Sequence, residues 1–227
     1  MQDKVIETNV VSVVGEVHSE LEFSHEMYGE GFYTFDIKIP RLSDYNDVLP
    51  VTVSERILVG LEIKAGIAVK VEGQLRSYNK YKDGNNKLVL TIFARDMSLC
   101  ENLEEIKNPN QIFLDGFICK EPVYRTTPFG REITDMLIAV NRPYNKSDYI
   151  PCIAWGRNAR YSEKLQVGDH IKIWGRVQSR EYQKKIQDEQ AITKIAYEVS
   201  VSKMEINEED NNRFNEKESD YDEPTND

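Results

Sequence analysis

Between Leu114 and Tyr182 the chain sets aromatic and basic side chains on short segments punctuated by glycine. The run Tyr149-Ile-Pro-Cys-Ile-Ala-Trp-Gly-Arg157 puts Tyr149 and Trp155 on one parity of a strand and Ile150 and Cys152 on the other. An apolar inner face therefore implies an aromatic outer one. Arg125, Arg131, Arg142, Lys146, Arg157, Arg176, Arg180, Lys184 and Lys185 lie in the same region. Ring faces stack on flat molecules and cations neutralise anions, so these residue types together suit a flat, anionic ligand. Trp174 alternates away from Ile171 and Ile173, and a packing or subunit contact is the favoured role for it. Catalytic chemistry finds no constellation: the histidines His18, His25 and His170 are scattered, and there is no GxSxG, phosphate loop or metal-ligand spacing. No cofactor or metal is expected.

The overall charge of -10 argues against an anionic partner, but its distribution does not. Residues 1–110 hold 12 Lys+Arg and 18 Asp+Glu, residues 111–204 hold 15 and 11, and residues 205–227 hold 2 and 10. Only the middle segment is basic, with net +4 against -6 before it and -8 after it. Screening over about 8–10 Å makes that local excess the relevant quantity.

A chain of 227 residues with 40% hydrophobic and 30% charged content can bury a core in one large domain or two small ones. No apolar run approaches the roughly 18 residues of a membrane span. The opening Met-Gln-Asp-Lys-Val lacks a basic-then-apolar pattern, so a cytoplasmic, nucleoid-associated location is expected. Cys100, Cys119 and Cys152 are odd in number and lack CxxC spacing, which predicts reduced thiols.

The elements that must position the aromatics occur twice. Residues 8–18 alternate around Gly15, Phe32–Ile39 alternates next, and Leu49, Val51 and Val53 form the inner face of a third strand, with Pro50, Thr52 and Ser54 outside. A helix over 55–63, a strand through Val69, Val71 and Leu75, a turn at Asp83-Gly84 and a strand over 88–93 complete the set, with His25 in a loop. Gly15 then matches Gly116, Asp36 matches Asp135, Pro50 matches Pro151, Arg56 matches Arg157, Gly66 matches Gly168 and Gly73 matches Gly175. A repeat of about a hundred residues means two domains. Five strands with a helix after the third is the OB-fold order. The expected fold is mainly β: two tandem OB-fold five-stranded barrels at 1–100 and 111–204, a linker at 101–110, and a disordered acidic tail at 205–227.

Gly116, the run Glu121-Pro-Val-Tyr-Arg-Thr-Thr-Pro-Phe-Gly130, Tyr149 and Trp155-Gly-Arg157 before a helix, and Gly175-Arg-Val-Gln-Ser-Arg-Glu-Tyr182 stand in order across the second repeat. In that order and spacing residues 111–204 resemble the bacterial single-stranded DNA-binding proteins. The resemblance implies that Tyr144, Tyr149, Trp155 and Tyr182 stack bases. Arg142, Lys146, Arg157, Arg180 and Lys184 are the expected phosphate contacts. In the first repeat Val48 and Ser54 replace the strand-three aromatics, although Tyr45, Tyr78 and Tyr81 with Lys80 and Lys82 can reach a strand from loops. That copy is expected to be a weak binder serving as a structural partner.

The resemblance also implies four barrels per assembly, hence a homodimer of this two-barrel chain, and an acidic tail that recruits replication or repair proteins. The end, Tyr221-Asp-Glu-Pro-Thr-Asn-Asp227, has the proline but lacks the terminal phenylalanine of such tails. The expected function is binding and protection of single-stranded DNA in replication, recombination or repair. The alternatives are an interaction adaptor of a primosome or mobile element, and single-stranded RNA binding.

Overall fold

Each repeat folds because its alternating segments bury one face and because glycines let the strands bend around that face. The computed structural model describes residues 7–82, 84–185 and 191–207. The first barrel comprises β1 (Asn9–Val17), β2 (Glu22–Met27), β3 (Glu30–Pro40), β4 (Asn46–Ser54), α1 (Glu55–Leu58), β5 (Ala68–Lys82) and β6 (Asn85–Leu99). The second comprises β7 (Asn110–Thr126), β8 (Glu132–Arg142), β9 (Lys146–Trp155), α2 (Arg157–Ser162), β10 (His170–Lys185) and β11 (Ala191–Ile206). A 3-10 turn at Leu103–Glu105 lies in the join. These are two tandem OB folds, in which β1 and β2 share the role that the unbroken β7 plays in the second copy. Each barrel is closed by a parallel contact between its third and fifth strands, Val51 opposite Ile92 and Cys152 opposite Val199.

The inner faces are as the alternation predicts: Leu49, Val51, Val53, Ile150, Cys152 and Ala154 are all buried. Gly73 and Gly175 sit at register shifts in the fourth strands, where a Cβ would stand 2.1 Å from the Phe93 carbonyl oxygen or 2.2 Å from that of Ser200. Any side chain there would force the strands apart, which is why both repeats have glycine at this place.

The structure corrects the strand assignments at four points. The first helix ends at Leu58, not Ile63: Ser54 caps it by accepting from the Arg56 amide, and Gly60, at φ 80°, turns the chain away. His25 belongs to β2, an edge strand whose six residues are all exposed, so it carries no inward apolar signal. Thr52 and Ser54, expected outside, are buried, Thr52 by its hydroxyl contact with Thr91 at 2.8 Å and Ser54 through Glu30; Ile153 is buried as well. The Asp36 and Asp135 match is out of register. Asp36 faces Pro50 whereas Leu137 faces Pro151, so Asp36 and Leu137 are the equivalent residues.

The two barrels share one eleven-stranded sheet, joined where β1 pairs antiparallel with β7. Val11 lies opposite Ile112 in that pairing. The repeat places these two residues 101 positions apart, as it does Gly15 and Gly116. Equivalent residues that pair with each other mark a local two-fold axis, so the chain contains an isologous interface between its own halves.

That symmetry recurs in the buried polar groups. The Asn9 side chain donates to the Leu75 carbonyl at 2.8 Å and accepts from the Leu75 amide at 2.9 Å; Asn110 does the same with Val177 at 2.6 and 2.9 Å. Asp47 accepts from the Ser179 amide at 2.8 Å and pairs with Arg41. Asp148 accepts from the Ser77 amide at 2.8 Å and pairs with Arg76 and Arg142 at 3.1 and 3.2 Å. Both carboxylates are fully buried, and each reaches across to the other barrel.

Candidate nucleic-acid interface

The short β8–β9 hairpin pairs Arg142 with Lys146 and leaves three residues for its turn. Tyr144 and Asn145 take left-handed conformations, φ 64° and 53°, which projects the Tyr144 ring fully into solvent. Lys146 is exposed beside it. Along β9, Tyr149 is 47% and Trp155 38% exposed, on the parity opposite the core residues. Six residues of strand separate them by about 20 Å. The Tyr149 amide donates to Ser77 Oγ of the first barrel at 2.7 Å, which fixes the strand beneath the ring. Gly156, at φ 55°, turns the chain into α2, and Arg157 is exposed at its first position. Tyr182 lies half-exposed on β10 opposite Lys194. Lys184 lies on β10 opposite Ile192, with its side chain outside the described residues.

Trp155 lines a groove of about 440 Å³ together with Arg41, Arg131, Arg176, Gln178, Ser179, Arg180 and Ser200. Arg41 arrives from the first barrel: Asp47 holds it and raises its pKa through their hydrogen bond, and its Nη2 donates to the Ser179 carbonyl at 3.1 Å. Burial, followed by repulsion from Arg41, lowers the pKa of Arg176. A guanidinium stays charged across such shifts, so the groove keeps a concentration of positive charge around an indole. Arg180 is committed to Glu198, donating from Nε at 3.2 Å and Nη2 at 3.4 Å, and that contact raises its pKa.

The expected site residues divide into separate surfaces. Trp155 and Arg180 share the arginine groove. Tyr182 instead lines a smaller groove of about 270 Å³ with Pro151, Ile195, Tyr197, Lys87 and Leu88, between the long hairpins of the two barrels. Tyr144, Tyr149 and Lys146 stand on the exposed β8–β9 end. Arg142 pairs with Asp148 and lines a groove on the first barrel. Arg41 was missed, although a signal for it existed: it precedes Arg142 by 101 positions, the period of the repeat. Trp174 packs against Phe113, centroids 5.1 Å apart, under Lys203 at 4.5 Å, the packing role expected for it. Among the described residues no cluster of His, Cys, Asp or Glu is arranged to hold a metal, and no helix is long and apolar enough to cross a membrane.

Fold and surface together define a tandem OB-fold protein with an aromatic, arginine-rich groove on its second barrel. Residues 109–206 match the model of the single-strand binding protein family. The chain is 31% identical over 93 residues to the single-stranded DNA-binding protein of Clostridium tetani, covering 38% of this chain and 64% of that one. It spans between about half and two thirds of the length of the curated relatives it matches. The crystal structure of the single-stranded DNA-binding protein from Thermus aquaticus superposes with a TM-score of 0.70 at 20% identity, covering 88% of this chain and 92% of that one, a likeness of fold that takes in both barrels. The dimeric N-terminal domain of the PriB protein from Thermoanaerobacter tencongensis is 51% identical over 41% of this chain and 98% of its own, with a TM-score of 0.37.

Proposed function

We propose that this protein binds single-stranded DNA without marked sequence preference and protects it during replication, recombination or repair, in the cytoplasm and with the nucleoid. The carrying observation is Trp155 set among the guanidinium groups of Arg41, Arg131, Arg176 and Arg180. A single strand exposes base faces and phosphates together; stacking contributes about 1–3 kcal/mol per base and phosphate neutralisation makes binding fall with salt. Tyr144, Tyr149 and Tyr182 add stacking surfaces, and Arg142, Lys146, Arg157 and Lys184 add charge. The domain division is a second barrel at 111–204 that binds and a first at 1–100 that braces it, with 101–110 between them. Two such chains assemble as a homodimer of four barrels. Recruitment of replication or repair proteins is the role of the tail expected at 205–227; Glu205 and Ile206 are not disordered but end β11, paired with Lys172 and Ile171, and residues 208–227 lie outside the described residues.

Titration with oligo-dT at two salt concentrations tests the central reading. The strand is expected to quench Trp155 and to bind more weakly at high salt, with log K falling by about 0.7 per neutralised phosphate per unit of log salt. Trp155→Ala with Tyr149→Ala is expected to cost roughly 2–6 kcal/mol of binding. Absent binding, or binding indifferent to both substitutions, replaces this reading with that of a protein-docking adaptor.

A further inference from the structure

Two buried carboxylates lock the barrels together, and the repeat makes them equivalent, yet they hold their arginines differently. Asp47 matches Asp148 and Arg41 matches Arg142. Counted from the bend glycines Gly73 and Gly175, Ser77 matches Ser179 and Arg76 matches Gln178. At Asp148 one carboxylate oxygen takes Arg76 at 3.1 Å, and the other takes a single nitrogen of Arg142 at 3.2 Å. At Asp47 the place of Arg76 belongs to the neutral Gln178, which is bonded to Arg176 and Glu198 instead. Both oxygens of Asp47 are therefore left to Arg41: Oδ2 accepts from Nε at 2.8 Å and Oδ1 accepts from Nη2. A bidentate pair fixes the plane of the guanidinium as well as its position. The Asp148 node docks the barrels without one, so docking alone does not call for it.

The same first-barrel segment also grips a wall of the Trp155 groove. The Ser179 amide donates to Asp47 at 2.8 Å, its carbonyl accepts from Arg41 Nη2 at 3.1 Å, and its hydroxyl accepts from the Val48 amide at 3.1 Å. Ser179 lies between Gln178 and Arg180, and all three line the groove with Trp155 and Arg41. Arg41 thus spends Nε and Nη2 on Asp47 and Ser179. Among the described residues its Nη1 makes no hydrogen bond, which leaves that nitrogen for a ligand of the groove. Because Asp47 offsets its charge, what Arg41 brings there is an oriented donor rather than net charge.

We propose that Asp47 is a positioning residue for the second barrel's groove: it holds the first barrel's Arg41 so that Nη1 donates to a backbone phosphate of a strand stacked on Trp155, and the groove is incomplete without the first barrel. The inference rests on the reading of the second barrel given above. The intact chain would be titrated with oligo-dT as wild type, Asp47→Asn, Arg41→Gln, the double variant and Arg41→Lys, with tryptophan quenching followed and folding checked by circular dichroism. Asp47→Asn removes a negative charge beside the groove, so charge alone would tighten binding, whereas loss of positioning weakens it. Asp47→Asn and Arg41→Gln are each expected to lose about 10- to 100-fold in affinity, the equivalent of one hydrogen bond to a charged group. The double variant is expected to bind no more weakly than Arg41→Gln. Arg41→Lys keeps a cation beside Asp47 but not the fork, and is expected to bind as weakly as Arg41→Gln; it keeps the test decisive should Asp47→Asn fail to fold. Three results would each overturn the inference and, with wild-type quenching intact, leave the second barrel's role standing. They are wild-type or tighter binding by Asp47→Asn, an equal further loss from Asp47→Asn in the Arg41→Gln background, and wild-type affinity of Arg41→Lys. Wild-type protein that binds no oligo-dT, or binds it without quenching Trp155, would overturn the reading of the second barrel and this inference with it.

Discussion

Trp155 and Trp174 both alternate outward from their strands, but their surroundings differ. Trp174 is covered by Phe113 and by the Lys203 ammonium, whereas Trp155 opens into a groove rimmed by arginines. A fluorescence change on adding oligo-dT is therefore expected to come from Trp155, with Trp174 as a steady background. At the same scale, Cys152 is enclosed by the second barrel, and burial pushes its thiol far above the ordinary range. A thiol so shifted is expected to resist a disulfide reagent in the native protein and to react only on unfolding, which a thiol count with and without denaturant checks. The sign of the pH effect follows. The unfolded thiol ionises first as pH rises, so this contribution to stability is complete below the ordinary thiol pKa and declines above it.

At the scale of elements, the pairing of β1 with β7 joins the barrels, and Asp47 and Asp148 lock their relative position. Asp148→Ala would leave Arg76 and Arg142 facing each other without a counter-charge. Loss of one partner from a buried pair costs about 3–5 kcal/mol, so the denaturant midpoint should fall clearly with the slope unchanged. An unchanged midpoint would mean that the node contributes little to holding the barrels together. These elements also show where sequence reading reaches its limit. The parity of β9 placed Tyr149 and Trp155 correctly outward, because alternation on a half-buried strand is a local property. Arg142 looked like a free cation beside an aromatic loop, since its ion pair depends on a buried carboxylate whose environment comes from the opposite barrel. The exposed edge strand β2 escaped notice because it has no buried face to impose a period.

For the whole molecule, the acidic total and the basic second repeat are reconciled by geometry. The arginines of the second barrel's groove stand with Arg41 from the net-acidic first half; Asp47 offsets Arg41 and Glu198 offsets Arg180, which leaves Arg131 and Arg176 to give the groove its positive character. The proposed homodimer predicts a mass near twice the 26.3 kDa of one chain by light scattering at micromolar concentration. A mass of one chain would mean that two barrels suffice.

By itself the sequence determined the tandem OB architecture, the repeat of about a hundred residues, the buried faces of the third strands and the outward aromatics of the second copy. All of these follow from periodicity along the chain and from glycines at strand bends. Tertiary structure alone decided which side chains share a groove. It placed Tyr182 apart from Trp155, brought Arg41 and Arg142 each to the other barrel, and assembled Phe32, Tyr78 and Phe93 from three strands into one cavity. The reason is that a barrel brings together residues tens of positions apart, and a pseudo-symmetric pair of barrels brings together residues from both repeats. No local period records such meetings.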